Sequence, residues 1–150
     1  MSNRKTFQMD AGFLSDWTRA LRSGEYEQGA GSLYDYYNGY CCMGVACSMK
    51  GIGEDALYDM GTISELLRYN PRFNNLGFPD IFSQHDDPDS MLVDILVSLN
   101  DGLSESMMDF YLQHYDNLEF LPGPYLRNRL DHRYTFVEIA DWLDHNVQPV

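Results

Sequence analysis

Positive charge is scarce in this chain. Its 150 residues carry ten Lys and Arg against 23 Asp and Glu, a formal net charge of −13. The imbalance is local. Residues 1–53 hold five acids and five bases, whereas residues 54–150 hold eighteen acids and five bases. Such a field repels nucleic acid and anionic membrane from the C-terminal two thirds, which makes nucleic acid an unfavoured partner. Arg127, Arg129 and Arg133 form one basic island beside acids, and they read as internal salt-bridge partners.

Long hydrophobic runs are missing. None approaches the roughly 18 apolar residues of a bilayer-spanning helix, so no membrane partner is expected. Residues 1–5 lead straight into Thr6-Phe7-Gln8-Met9 without the apolar stretch of a secretory leader, and the expected location is cytoplasmic. Cysteine is also scarce: Cys41, Cys42 and Cys47 are the only three, and two are neighbours. An odd count with an adjacent pair argues against a disulfide framework and fits a reducing compartment.

Several motifs are absent as well. Structural zinc needs a second cysteine pair, which Cys42 and Cys47 lack. There is no Gly-rich phosphate loop of the mononucleotide or dinucleotide type, which disfavours ATP hydrolysis and NAD chemistry. No cofactor and no metal is expected. His85-Asp86-Asp87 is the most polar point of a long loop, and solvation explains it better than a hard cation.

Apolar residues make up 44% of the chain and aromatics 14%, with eleven tyrosines. The length suits one domain with one core. Tyrosine has an apolar body and a polar tip, so it suits a half-buried wall or a ligand groove.

Periodicity places the elements. Phe13, Leu14, Trp17, Ala20 and Leu21 form one helical face over residues 10–22, with Asp10 as cap and Gly24 beyond the end. Residues 24–32 hold three glycines and read as a loop. Residues 33–41 read as an aromatic β-hairpin, because Asn38-Gly39 is the usual centre of a two-residue type I′ turn. Cys42, Val45, Ala46 and Met49 then recur at helical spacing, predicting a short helix over residues 42–50. Residues 51–61 read as irregular. Thr62-Ile63-Ser64-Glu65 and Thr135-Phe136-Val137-Glu138 are capping boxes that open two further helices. Residues 71–88 read as a loop. Met91, Leu92, Ile95, Leu96 and Leu99 form the stripe of another helix, capped by Asp89 or Ser90 and ending at Asn100-Asp101-Gly102. Ser104 opens a helix with Met107, Met108, Tyr111, Leu112 and Tyr115 on its face. Leu121-Pro122-Gly123-Pro124 reads as a rigid turn. The fold class is α+β: a mostly helical single domain with one short aromatic hairpin leading into a short helix.

Five blocks carry a resemblance. They are Ala20-Leu21-Arg22-Ser23-Gly24-Glu25-Tyr26-Glu27-Gln28, Gly31-Ser32-Leu33, Tyr40-Cys41-Cys42-Met43-Gly44-Val45, Ser98-Leu99-Asn100-Asp101 and Tyr134-Thr135-Phe136-Val137-Glu138-Ile139-Ala140-Asp141. In this order they resemble a family of small, mostly uncharacterised proteins of tailed phages. Met43 stands where that family has leucine. Its L-N-D block nearly abuts its S-F block, so residues 102–133 look like an insertion. The resemblance implies a phage accessory protein in a bacterial cytoplasm and no settled activity.

Three functional readings follow. The first is a binding protein directed against a host defence, holding a small nucleotide-derived ligand or a host protein. Its candidate ligand residues are Arg22, Tyr26, Gln28, Tyr40, Cys41, Asn100 and Asp101, which are polar or amphipathic and lie at element ends. Arginine suits phosphate, tyrosine suits stacking on a base, and Asp101 suits a ribose hydroxyl. The second is a thiol hydrolase or transferase. Cys42-Met43-Gly44-Val45 looks like the nucleophile segment of papain-like cell-wall peptidases, and a helix N-terminus favours a thiolate. Gln28 would serve the oxyanion and Asp101 would orient or replace the base, with His85, His114, His132 and His145 as further base candidates. Against it stands the plain reading of three buried thiols. The third is an acidic decoy that mimics a DNA phosphate track.

Overall fold

The computed structural model describes residues 7–82, 91–115, 118 and 121–150, apart from the side chains of Ile81 and Met91. The chain is a mostly helical α+β domain. Its order is β1 (Phe7–Met9), α1 (Ala11–Arg22), β2 (Tyr34–Asp35), β3 (Gly39–Tyr40), α2 (Cys42–Met49), α3 (Glu54–Leu57), α4 (Ile63–Tyr69), α5 (Met91–Asp101), α6 (Glu105–His114), α7 (Gly123–Leu126), α8 (Phe136–Asn146) and β4 (Val147–Pro149). Two 3₁₀ turns, Pro71–Asn75 and Asp80–Phe82, lie in the stretch expected to be loop. The expected cap of α5 at Asp89 or Ser90 and the His85-Asp86-Asp87 point lie outside the described residues.

The core is built around α2. Residues 42–47 are all buried, because this helix is apolar all round. Helices α1, α4 and α5 cover it. The α1 face is the expected one: Phe13, Leu14, Trp17 and Leu21 point inward, and the Asp10 side chain accepts from Phe13 N at 3.0 Å. Trp17 is completely enclosed, makes edge contacts with Phe13 and Phe82, and donates its indole N–H to the Cys42 carbonyl at 3.0 Å. Helix α8 lies along α1 through Phe136, Ile139, Ala140 and Leu143. Each fully buried leucine-sized side chain here contributes about 1.5–3 kcal/mol.

Capping decides several helix starts. At α8 the box closes fully: Thr135 Oγ1 accepts from Glu138 N at 3.2 Å and Glu138 Oε1 accepts from Thr135 N at 3.0 Å. At α4 the Thr62 hydroxyl accepts from Glu65 N, while the Glu65 carboxylate turns to Gly61 N instead of Thr62 N. Ser104 caps α6 through Met107 N. That helix buries Tyr111 but leaves Leu112 exposed, so the expected face is narrower than its spacing implied.

The hairpin departs from expectation in its turn. Tyr34 pairs with Tyr40 and Asp35 with Gly39, so the loop is residues 36–38 and not Asn38-Gly39. Gly39 has φ +110° and Asn38 is not in the left-handed region. The cause is a third segment. Tyr40 N donates to Glu27 O at 2.8 Å and Gly29 N to Tyr40 O at 2.7 Å, which brings the Glu27 carbonyl onto Gly39, where a Cβ would collide with it. The glycine is spent on that approach, and a three-residue loop closes the hairpin.

Four elements were not expected from the sequence. β1 and β4 pair in parallel, Phe7 with Val147 and Met9 with Pro149, and join the two ends of the described chain. α3 and α7 are each one turn long. Residues 102–133 supply Leu103, Tyr111, Leu121 and Tyr125 to the core, and the Tyr125 hydroxyl donates to Ser98 O at 2.9 Å or His132 O at 2.8 Å.

Candidate functional site

Gln28 converges with Asn100 and Asp101, from which more than seventy residues of chain separate it. The Gln28 amide donates to Asn100 Oδ1 at 2.9 Å and to Tyr134 O at 2.8 Å, and its Oε1 accepts from Phe136 N at 3.0 Å. Asn100, only 2% exposed, donates to Gly29 O and to Asp101 Oδ1, each at 2.7 Å. Asp101 Oδ2 accepts from Gly31 N at 3.2 Å, and the Asp101 carbonyl accepts from Arg133 at 3.1 Å. This is a latch between the 28–31 loop, the end of α5 and the start of α8. Its amides are spent on one another, on the Asp101 carboxylate and on backbone carbonyls. Gln28 therefore does not stand beside Cys42 as an oxyanion donor.

Arg22 is elsewhere. On the outer face between α1 and α8 its guanidinium binds Asp141 at 2.7 Å and Asp144 at 2.6 Å. These hydrogen bonds hold its pKa above the usual arginine value. The expected phosphate ligand is thus a surface ion-pair partner, worth about 0–1 kcal/mol in such exposed settings. Tyr26 and Tyr40 pack edge to face at 5.0 Å on the hairpin side of the molecule, where the Tyr40 hydroxyl donates to Glu54 at 3.2 Å. Apart from Cys41, the expected ligand residues therefore fall into three places, and they do not form one pocket.

The cysteines correct the thiolate expectation. Cys42 is fully buried and donates to Leu96 O at 3.5 Å. Burial pushes its thiol well above the ordinary value, and neighbouring Cys41 and Asp101 push the same way. Desolvation outweighs the positive end of a short helix. Cys42 is the first residue of α2, as expected, and Cys41 is the N-cap, with its sulfur accepting from Gly44 N at 3.4 Å. Burial raises Cys41 to about 11 despite that hydrogen bond. Burial raises Cys47 too. His114 and His132 pack against Phe110 and Tyr134, and His145 sits at the end of α8, so none of the three is placed as a base for Cys42. His85 lies outside the described residues. A raised pKa means a neutral thiol at neutral pH, with the thiolate fraction growing about tenfold per pH unit. Iodoacetamide at pH 7.5 is expected to leave all three cysteines unmodified in the native protein and to modify all three in urea. Cys41 labelling should climb steadily toward pH 11. Rapid native labelling of Cys42 near neutrality, read by mass spectrometry, would reinstate the nucleophile.

The cavity lies next to the latch. It has a volume of about 420 Å³ and sits between α4, α5, the start of α6 and the 31–32 loop. Met43, Ile63, Phe82, Val93, Val97 and Met107 make its apolar wall. Ser32, Thr62, Ser64, Ser98, Ser104, Asp94 and Asp101 line its polar part, with Cys41 on the wall. No lysine or arginine is among these lining residues. Of the expected site, only Cys41 and Asp101 belong here. The signal for the rest was Val93 and Val97, an i, i+4 apolar pair off the buried stripe of α5. A second apolar face on a helix has to meet something. Among the described residues no three His, Cys, Asp or Glu side chains gather as a metal ion would require. No helix among them is long and apolar enough to cross a membrane.

The model of one protein family, described as a domain of unknown function (DUF8296), matches residues 9–147. No curated protein and no solved structure matches the chain.

Proposed function

The chain belongs to the DUF8296 family, and on that premise we propose that it is a binding protein for a small nucleotide-derived molecule, held by its base and sugar. The observation that carries this reading is the cavity of about 420 Å³, with an apolar wall facing a rim of hydroxyls and carboxylates. A flat heterocycle fits against Met43, Phe82, Val93 and Val97, and a sugar diol finds acceptors in Asp101 and Asp94. The same lining gives a phosphate no counter-charge, so a nucleoside should bind more tightly than its phosphates. The resemblance of the motif blocks to tailed-phage proteins supports a phage accessory role against a host defence, exerted in a bacterial cytoplasm.

Thermal shift and calorimetry with a panel of nucleosides and their phosphates test this. At least one nucleoside at 1 mM, about 100 times its expected Kd, should stabilise the protein by about 2.7 kcal/mol. Val97→Phe, which fills the cavity, should abolish that shift. A panel without any shift, or a shift that persists in Val97→Phe, removes the reading.

A further inference from the structure

The hairpin side of the molecule carries a second feature, distant in kind from the cavity. Five tyrosines form a continuous run of ring contacts. Tyr26 meets Tyr40 at 5.0 Å, Tyr40 meets Tyr34 at 4.6 Å, Tyr34 meets Tyr36 at 5.4 Å, and Tyr36 stacks on Tyr58 at 4.5 Å. The outer end is bare: Tyr36 is 52% exposed and Tyr58 41%, and Tyr37 at the loop tip is 90% exposed. Folding alone does not call for aromatic area left in water.

The hydroxyls along this run are tied to carboxylates. Tyr36 donates to Asp55 at 2.6 Å and Tyr40 to Glu54 at 3.2 Å. These bonds occupy the Tyr36 and Tyr40 hydroxyls; Tyr36 and Tyr58 cover one ring face of each other, and the rest of their exposed surface, with Tyr37, is what a partner can reach. The hydrogen bond to Asp55 and then desolvation push the Tyr36 phenol up to about 12, so it stays neutral and keeps donating at physiological pH. Negative charge beside the ring edges deepens the negative potential over the faces. No lysine or arginine occurs in residues 23–49 or 51–67, and Lys50 is directed at the Phe13 ring, 5.4 Å away.

We propose that this tyrosine run, from Tyr40 to Tyr58 with Tyr37 at its tip, docks an arginine-bearing segment of a partner protein, with guanidinium groups over the ring faces and Glu54 and Asp55 as counter-charges. Guanidinium is the cation that stacks on aromatic planes and also pairs with carboxylates. The run is several rings long, which suits successive side chains of a peptide. A second copy of this chain is disfavoured, because it would bring the same acidic rim and a net charge of −13 to the contact. The inference is independent of the cavity: cavity-blocking Val97→Phe should leave it intact.

The test is fluorescence anisotropy with a labelled arginine-rich peptide of about ten residues, at about 0.15 M salt so that general attraction to an acidic protein is screened. Tyr36→Ala and Tyr58→Ala should each weaken binding by about three- to tenfold. Tyr36→Phe and Tyr58→Phe, which keep the rings, should bind within about twofold of the parent protein. Asp55→Asn should weaken binding more than Asp109→Asn, which removes the same charge from the exposed side of α6. Unchanged binding in both alanine variants, or equal losses in Asp55→Asn and Asp109→Asn, overturns the proposal. So does a concentration-dependent dimer in sedimentation that the alanine variants abolish, since that would assign the surface to a second copy.

Discussion

Alanine at Gly44 is expected to lower the melting temperature by about 10 °C. Helix propensity alone argues the opposite, since Gly→Ala within a helix gains up to about 1 kcal/mol. Packing overrides it. Gly44 is in the first turn of α2, and a Cβ there would collide with the Leu33 carbonyl. Backbone cannot turn aside as a flexible side chain can. Leu33 is also held from both ends: its N–H donates to Met60 O at 2.7 Å and its carbonyl accepts from Cys41 N at 3.3 Å. Overpacking of this kind costs about 3 kcal/mol, which in a domain of this size corresponds to about 10 °C. Gly53→Ala is the control, because nothing lies within 4 Å of a Cβ there and its φ of −75° suits any residue. It should change stability by only about 0.5 kcal/mol. Calorimetry of both variants decides the matter. A Gly44→Ala protein at least as stable as its parent would mean that α2 and the 31–33 segment do not touch as described.

Removing the Asn100 side chain should cost about 2–3 kcal/mol. Asn100→Ala deletes three hydrogen bonds and leaves the buried Gly29 carbonyl and the partly buried Asp101 carboxylate short of partners. The penalty is dominated by those stranded groups, not by the net worth of the bonds themselves. Gln28→Ala should cost less, because Gln28 lies at the surface and water can replace its contacts with Tyr134 and Phe136. The two losses should not add. A double-mutant cycle in urea should return a coupling of about 1 kcal/mol, the signature of residues that share a network. Strict additivity, or an Asn100→Ala loss below about 0.5 kcal/mol, would contradict the latch. If the latch holds, the same measurement explains why the motif residues look like a site in the sequence. Gln28, Asn100, Asp101 and residues 134–136 are joined to one another, and Arg22 is joined to Asp141. Blocks far apart in the chain are bound together by the fold they close.

The thiol reading shows where local inference stops. Cys42 does begin α2, as its spacing predicts, and a helix start does favour a thiolate in isolation. Local sequence does not specify what lies above the sulfur. Leu96, Trp17 and the rest of the core lie there, and burial then controls the thiol. The hairpin behaves in the same way. Asn38-Gly39 is a turn signal that holds for two strands, but residues 27–29 form a third partner that takes Gly39 into the ladder.

What the sequence by itself determined is the set of helices with strong period and caps. The bounds of α1 and α4 and the start of α8 follow from Asp10, Thr62 and Thr135 and from apolar residues three and four apart, because capping and amphipathic burial act within one or two turns of chain. What only the tertiary structure decided is the destination of each polar group: Gln28 and Asn100 to a latch, Arg22 to an outer ion pair, the thiols to the core, and Val93 and Val97 to a cavity. Desolvation and hydrogen-bond pairing depend on neighbours brought from about fifty to more than a hundred residues away, and no local pattern of side chains encodes who those neighbours are.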